Sequence, residues 1–194
     1  MFINGDCQDK TDEELIKLTL KDAEWYGCLM QRYEGKISRY IYRISGTSKE
    51  DIEDLLQEIF INAYKNINDF DVSLKFSSWI YRIAHNMVIS HFRKSQARPQ
   101  TITGEEGEKL LTLIKESRNI ESELDQKINS RQVHDLLSLM DEKYREVLVL
   151  KYLEEKDYQE ISDILKKPMG TVATLLNRAK KQLKEIALKE NIKL

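Results

Sequence analysis

An all-α protein of two small helical domains joined by a flexible acidic linker is encoded here, and three features predict it. Apolar residues recur at three- and four-residue spacing with few β-branched alternations. Two Pro and seven Gly leave long stretches without a helix breaker. The helical periodicity fails once, between Ser95 and Asn129, where Pro99, Gly104 and Gly107 fall. That break divides the chain into a helical domain over 1–95, a linker over 96–129, and a helix-turn-helix domain over 130–194. At 194 residues the chain is long enough to bury a core without staples.

Cys7 and Cys28 lie ahead of or early in the first amphipathic run, Thr11 to Lys94, and lack CxxC spacing, so they read as two reduced cysteines. The start Met-Phe-Ile-Asn-Gly-Asp lacks the pattern of a signal peptide, and no apolar run approaches the ~20 residues of a membrane span. A cytoplasmic protein without membrane insertion is expected. Next, Glu50 to Phe60 reads EDIEDLLQEIF, with Ile52, Leu55, Leu56, Ile59 and Phe60 on one stripe. Asp51, Asp54, Gln57 and Glu58 then point outward. Five acids and no base repel DNA, so any partner of this face is a basic protein surface.

A short polar loop, Asn68 to Lys75, leads into a helix over Phe76 to Lys94. In that helix Phe76, Trp79, Tyr81 and Phe92 alternate with Arg82, His85, Asn86 and Arg93. Rings mixed with bases suit unpaired nucleic acid, where stacking contributes about 1 to 3 kcal/mol per base. Trp79, Ile80, Ile83 and Met87 also follow core spacing, so packing claims part of that set. The linker that follows carries seven acids against three bases from Glu105 to Asp125, and permits a short helix near Lys109 to Lys115.

The C-terminal pattern is a helix over Tyr144 to Leu153, a second over Tyr158 to Leu165, a turn at Lys166-Lys167-Pro168, and a third helix from near Met169. At about 100° per residue, Val172, Leu176, Ala179 and Leu183 share one sector of the third helix. Gly170, Thr174, Asn177, Arg178 and Lys181 share the opposite one. Small residues, an amide and a guanidinium fit a helix that enters a major groove.

Charge supports both nucleic-acid readings. The chain carries 33 acids and 31 bases, yet Val72 to Gly104 and Ile164 to Lys184 contain no acid at all. Clearing carboxylates from two windows removes repulsion against closely spaced phosphates. No catalytic, cofactor or metal site is expected, since His85, His91 and His134 lack metal spacing and no Gly-rich phosphate loop or nucleophile motif occurs.

The order DLLQEIF, FSSWIYRIAHNMVISHFRK, YREVLVLKYLEEKDYQEISDIL and GTVATLLNRAKKQLK resembles the extracytoplasmic-function (ECF) sigma factors of bacterial RNA polymerase. The resemblance covers about Leu15 to Glu185 and implies a specificity subunit, not an enzyme. It implies that Asp54, Gln57 and Glu58 dock on a basic coiled coil of core RNA polymerase. It further implies minus-ten DNA contacts by Asn68, Asp69, Phe70, Ser73, Lys75, Trp79, Arg82, His85, Asn86 and Arg93, on a strand that is melting. Minus-thirty-five duplex contacts are implied for Gly170, Thr171, Thr174, Asn177, Arg178 and Lys181. An anti-sigma protein is the implied inhibitory partner. The linker is implied to thread toward the RNA exit path.

Departures from the family pattern are Ala173 and Leu175, where cations are common, and Lys166, where the turn usually has glycine. Pro168 replaces a frequent serine cap. Lys166 must adopt a left-handed conformation or shift the turn. A stand-alone helix-turn-helix regulator is the rival reading, but it leaves the acidic DLLQEIF face and the aromatic-basic helix without a task.

Overall fold

Side-chain caps open several helices of the computed structural model, which describes residues 5–71, 74–96, 133 and 135–190. After a single turn, α1 (Gly5–Gln8), Thr11 and Glu14 exchange side-chain and backbone hydrogen bonds to start α2 (Asp12–Thr19). A 3₁₀ turn at Ala23–Trp25 leads into α3 (Tyr26–Ser45), which Gly46 ends in the left-handed region at φ 65°. Ser48 caps α4 (Lys49–Lys65), and another 3₁₀ turn, Ile67–Asp69, precedes α5 (Phe76–Gln96). Beyond a helical turn at 135–138 come α6 (Glu142–Leu148), a π-helical turn at Val149–Leu153, α7 (Tyr158–Leu165) and α8 (Met169–Lys189). No strand occurs among the described residues. The acidic linker, with the short helix expected in it, and Ser73 and His134 lie outside them.

The expected helix over Tyr144 to Leu153 is thus an α-helix that widens into a π turn after Leu148, a place where the ladder accommodates an extra residue. Lys166 takes the left-handed option at φ 52° and closes α7, donating its N–H to the Ser162 carbonyl. Pro168 stands at the cap of α8, where its missing N–H leaves no donor orphaned.

Helices α3, α4 and α5 surround Tyr33, Ile37, Tyr40, Ile41, Leu55, Ile59, Phe76 and Ile80, all buried. The C-terminal helices surround Val147, Leu150, Ile161, Ile164, Val172, Leu176 and Ala179. Each such aliphatic side chain stabilises by about 1.5 to 3 kcal/mol. These two groups merge into one buried cluster, because α7 lies along α5 while α6 and the π turn touch α3.

The expectation of two reduced cysteines is corrected by the fold. Cys7 and Cys28 form a disulfide, their Cα atoms 5.4 Å apart across 21 residues. Arg32 draws the N-terminal segment onto α3: one guanidinium nitrogen bonds Asp12 at 2.6 Å, and the other donates to the Cys7 and Lys10 carbonyls at 2.7 and 2.8 Å. That clamp is a tertiary contact, which cysteine spacing alone does not reveal.

Candidate functional site

On α4 the buried stripe Ile52, Leu55, Ile59 and Phe60 forces the opposite face outward, and Asp54, Gln57 and Glu58 are all exposed there. Asp51 is different. The hydroxyls of Thr47 and Ser48 donate to its carboxylate at 2.7 and 3.0 Å, which holds its pKa below the usual carboxylate range. Asp51 therefore serves the start of the helix, while Asp54 and Glu58 remain as outward negative charge beside Gln57.

After α4, Asn68 and Asp69 are exposed but Phe70 is not. Its ring centroid lies 5.8 Å from Phe76 and 5.2 Å from Trp79, and Trp79 itself is buried. These rings are core, so in this arrangement neither Phe70 nor Trp79 offers a face to a base. Lys75, Asn86 and Arg93 are exposed, whereas Arg82 and His85 are half-buried. Burial, helped by the charge of Lys167, pushes the His85 imidazole down to about 4, and its Nδ1 shares a hydrogen bond with the Tyr40 hydroxyl at 3.3 Å. A neutral His85 adds no charge toward phosphate.

Lys75, just before α5, and Ser77 and Tyr81 on its first turns meet acids from the C-terminal half. Tyr81 donates its hydroxyl to Glu154 at 2.6 Å, and Arg43 of α3 pairs with the other Glu154 oxygen at 2.7 Å. Lys75 reaches Asp157 at 3.5 Å and Glu160 at 3.6 Å, while the Ser77 hydroxyl donates to Glu160 at 3.3 Å. Glu160, foremost, and Asp157 raise the pKa of the Lys75 ammonium. Lys156 completes the seam, 4.7 Å above the Tyr81 ring and 3.7 Å from Glu160, with its pKa lowered by burial.

The buried and exposed faces of α8 are those its periodicity predicts. Val172, Leu176 and Ala179 are buried and Leu183 packs against the core. Gly170, Thr171, Thr174, Asn177, Arg178 and Lys181 are all exposed on the other side. Thr174 turns its hydroxyl back to the Gly170 carbonyl at 2.9 Å, which leaves its methyl outward for apolar contact.

Sequence reasoning missed Arg43, Glu154, Asp157 and Glu160. A signal existed for two of them: Asp157 and Glu160 form a capping box at the start of α7, and that helix-start role is what D-x-x-E spacing reveals. Their second role, toward α5, depends on helix docking. Among the described residues no group of His, Cys, Asp and Glu could hold a metal ion, and no helix is long and apolar enough to cross a membrane.

Family models for Sigma-70 region 2 and Sigma-70 region 4 match residues 29–98 and 130–183. The ECF RNA polymerase sigma factor SigW of Bacillus subtilis is 35% identical over 187 residues, covering 89% of this chain and 97% of that protein. An ECF RNA polymerase sigma-E factor of Haemophilus influenzae is 29% identical, covering 91% of this chain and 95% of that one. CnrH, solved in complex with the cytosolic domain of CnrY, shares the fold at a TM-score of 0.65 and 20% identity, over 89% of this chain and 94% of that chain. The sigma factor RpoE of Bartonella quintana, solved with the anti-sigma factor NepR, does so at a TM-score of 0.58 and 16% identity, over 81% and 92%. With both regions matched in order and a relative of this similarity along nearly its whole length, the chain belongs to the ECF sigma factors of bacterial RNA polymerase.

Proposed function

We propose a division of labour within this sigma factor that follows its surfaces. As a member of the family it binds core RNA polymerase and directs promoter recognition and transcription initiation. Residues 1–95 form the docking and melting domain, 96–129 the linker, and 130–194 the upstream-reading domain. Asp54, Gln57 and Glu58 dock a basic surface of the polymerase. Asn68, Asp69, Ser73, Lys75, Arg82, Asn86 and Arg93 hold the minus-ten strand as it unpairs. Phe70, Trp79 and the neutral His85 support that surface from beneath. Gly170, Thr171, Thr174, Asn177, Arg178 and Lys181 read the minus-thirty-five duplex. The protein is no enzyme: the polymerase supplies the chemistry, and this subunit supplies position and strand capture in the cytoplasm. An anti-sigma protein is its inhibitory partner, as the solved complexes of CnrH and RpoE with their partners suggest by similarity.

The observation that carries this reading is the pair of opposite faces on one chain, acidic and exposed on α4, exposed and free of acids from Met169 to Lys184 on α8. A regulator acting without polymerase has no use for the first. Asp54→Lys with Glu58→Lys is the test. The folded double mutant should lose capture by core polymerase and run-off transcription, with its melting temperature nearly unchanged, because exposed substitutions usually shift stability by less than ~0.5 kcal/mol. Full capture and transcription by the double mutant refute the docking assignment.

A further inference from the structure

The two sulfurs of the Cys7–Cys28 disulfide differ in access. Cys28, in the first turn of α3, is only 4% exposed, whereas Cys7, in the single turn of α1, is half-buried. An open cavity of about 470 Å³ adjoins the bond, lined by Cys7, Gln8, Lys10, Cys28, Gln31 and Arg32. Among the described residues that lining holds two cations and two amides but no carboxylate. Asp12, which pairs with Arg32, gives its other oxygen to the Tyr33 hydroxyl, and the Lys10 ammonium lies over the Trp25 ring, 5.5 Å from its centroid. Arg32 also receives the Cys7 and Lys10 carbonyls, so hydrogen bonds that do not involve the sulfurs hold Cys7 against α3.

We propose that Cys7–Cys28 is a thiol–disulfide exchange site for small anionic thiols, with Cys7 as the attacked sulfur and Cys28 as the leaving group. The incoming thiolate bonds Cys7 Sγ as the Cys7–Cys28 bond breaks, and the electron pair departs on Cys28 as a thiolate. A second small thiolate then removes the first from Cys7. Two small thiols are thereby oxidised to one small disulfide, while the protein disulfide takes up two electrons and two protons to become two thiols. A negative group on the incoming thiol meets Lys10 and Arg32 in the cavity. The departing Cys28 thiolate sits in a first turn that carries no acid, at the positive end of the α3 dipole. Because Arg32 keeps Cys7 close after reduction, the bond closes again when the thiol pool is oxidised. The opened form keeps α1 on α3 through hydrogen bonds without the covalent tie, so the order of the N-terminal segment follows the redox state of that pool.

Two small thiols of opposite charge test the site on the full, air-oxidised chain under native conditions. Glutathione, an anion, and cysteamine, a cation, are supplied at equal thiolate concentration, and samples are quenched in acid, alkylated and mapped by peptide mass spectrometry. The early mixed disulfide should lie on Cys7, with Cys28 alkylated. Glutathione should react faster than cysteamine. Lys10→Gln should slow glutathione by roughly threefold and speed cysteamine by a similar factor, the effect of one charge a few ångströms away in water. Amide hydrogen exchange over residues 7–10 should quicken on reduction, while the buried middle of α3 keeps its protection. A mixed disulfide on Cys28, two free thiols in the air-oxidised chain, or resistance of the native protein to both thiols overturns the exchange site. Equal rates for the two thiols that Lys10→Gln does not move overturn the selectivity for anions, and unchanged amide exchange over residues 7–10 overturns the redox control of the N-terminal segment.

Discussion

Tyr81 donates its hydroxyl to Glu154 at 2.6 Å across 73 residues of sequence, tying the second turn of α5 to the turn before α7. The accepting Glu154 side chain is almost fully shielded, and its other oxygen carries the Arg43 ion pair. Burial, foremost, and the Glu154 charge raise the Tyr81 pKa, so the phenol stays a donor over the physiological range.

Tyr81→Phe removes that donor and keeps the ring. Hydrogen bonds to charged groups contribute about 1.5 to 3 kcal/mol, and Arg43 still partners Glu154 in the variant, so a loss of roughly 1 to 2 kcal/mol is expected. Denaturant titration should show a lower midpoint with an unchanged slope, provided both halves still unfold together.

A second prediction concerns Glu146 and His85, which face one open cleft of about 490 Å³ between α5 and α6 together with Arg93, Glu142 and Lys167. Burial, then the charge of Glu142, pushes the Glu146 carboxyl up to about 7, while burial pushes His85 down to about 4. Between the ordinary carboxyl value of 4.5 and about 7, folding takes up a proton at Glu146, so its contribution falls as pH rises. Between about 4 and the ordinary imidazole value of 6.5, folding releases a proton from His85, so its contribution falls as pH drops. The two oppose each other over the shared window. Wild-type stability should therefore be nearly flat from pH 4.5 to 6.5, Glu146→Gln should lose stability on acidification, and His85→Gln should gain it. Each single-variant slope should amount to roughly 1 to 3 kcal/mol across the window. Parallel slopes in the two variants would contradict the assignment.

Lys166 holds a left-handed backbone that favours glycine, at a cost of about 1 to 2 kcal/mol. Its side chain is exposed, so Lys166→Gly gives up no packing. Glycine enlarges the unfolded ensemble by up to ~1 kcal/mol, which leaves a net gain of roughly 0.5 to 1 kcal/mol. Thermal unfolding of the variant should shift upward by a few degrees.

On α8, Arg178 and Lys181 share the exposed face but differ in chemistry, a planar fork against a point charge. Lys181→Ala should weaken binding to all upstream duplexes alike and reduce the salt slope by about 1. Arg178→Ala should relax preference at one base pair, at a cost of roughly 1 to 3 kcal/mol on the best site. Fluorescence anisotropy across a promoter library and a salt series separates the two outcomes.

Helix identity and helix faces were legible in the sequence because both depend on neighbours within one or two turns. Tyr158–Leu165 appears as read, and α8 begins at Met169 as the pattern requires. The outward set on α8, and Asp54, Gln57 and Glu58 on α4, follow from a 3.6-residue period and the need to bury the opposite stripe. What only the tertiary structure decided are relationships between residues far apart in the chain. Phe70 and Trp79 have the composition of a stacking platform, but their mutual packing with Phe76 places them in the core. Cys7 meets Cys28 because Arg32 draws the N-terminal segment onto α3. Glu154 and Glu160 gain their partners only because α7 lies along α5 and brings them to Tyr81 and Lys75. Local periodicity specifies which side of a helix is apolar; which other helix covers it, and which charges then meet at the rim, is set by the packing of the whole core.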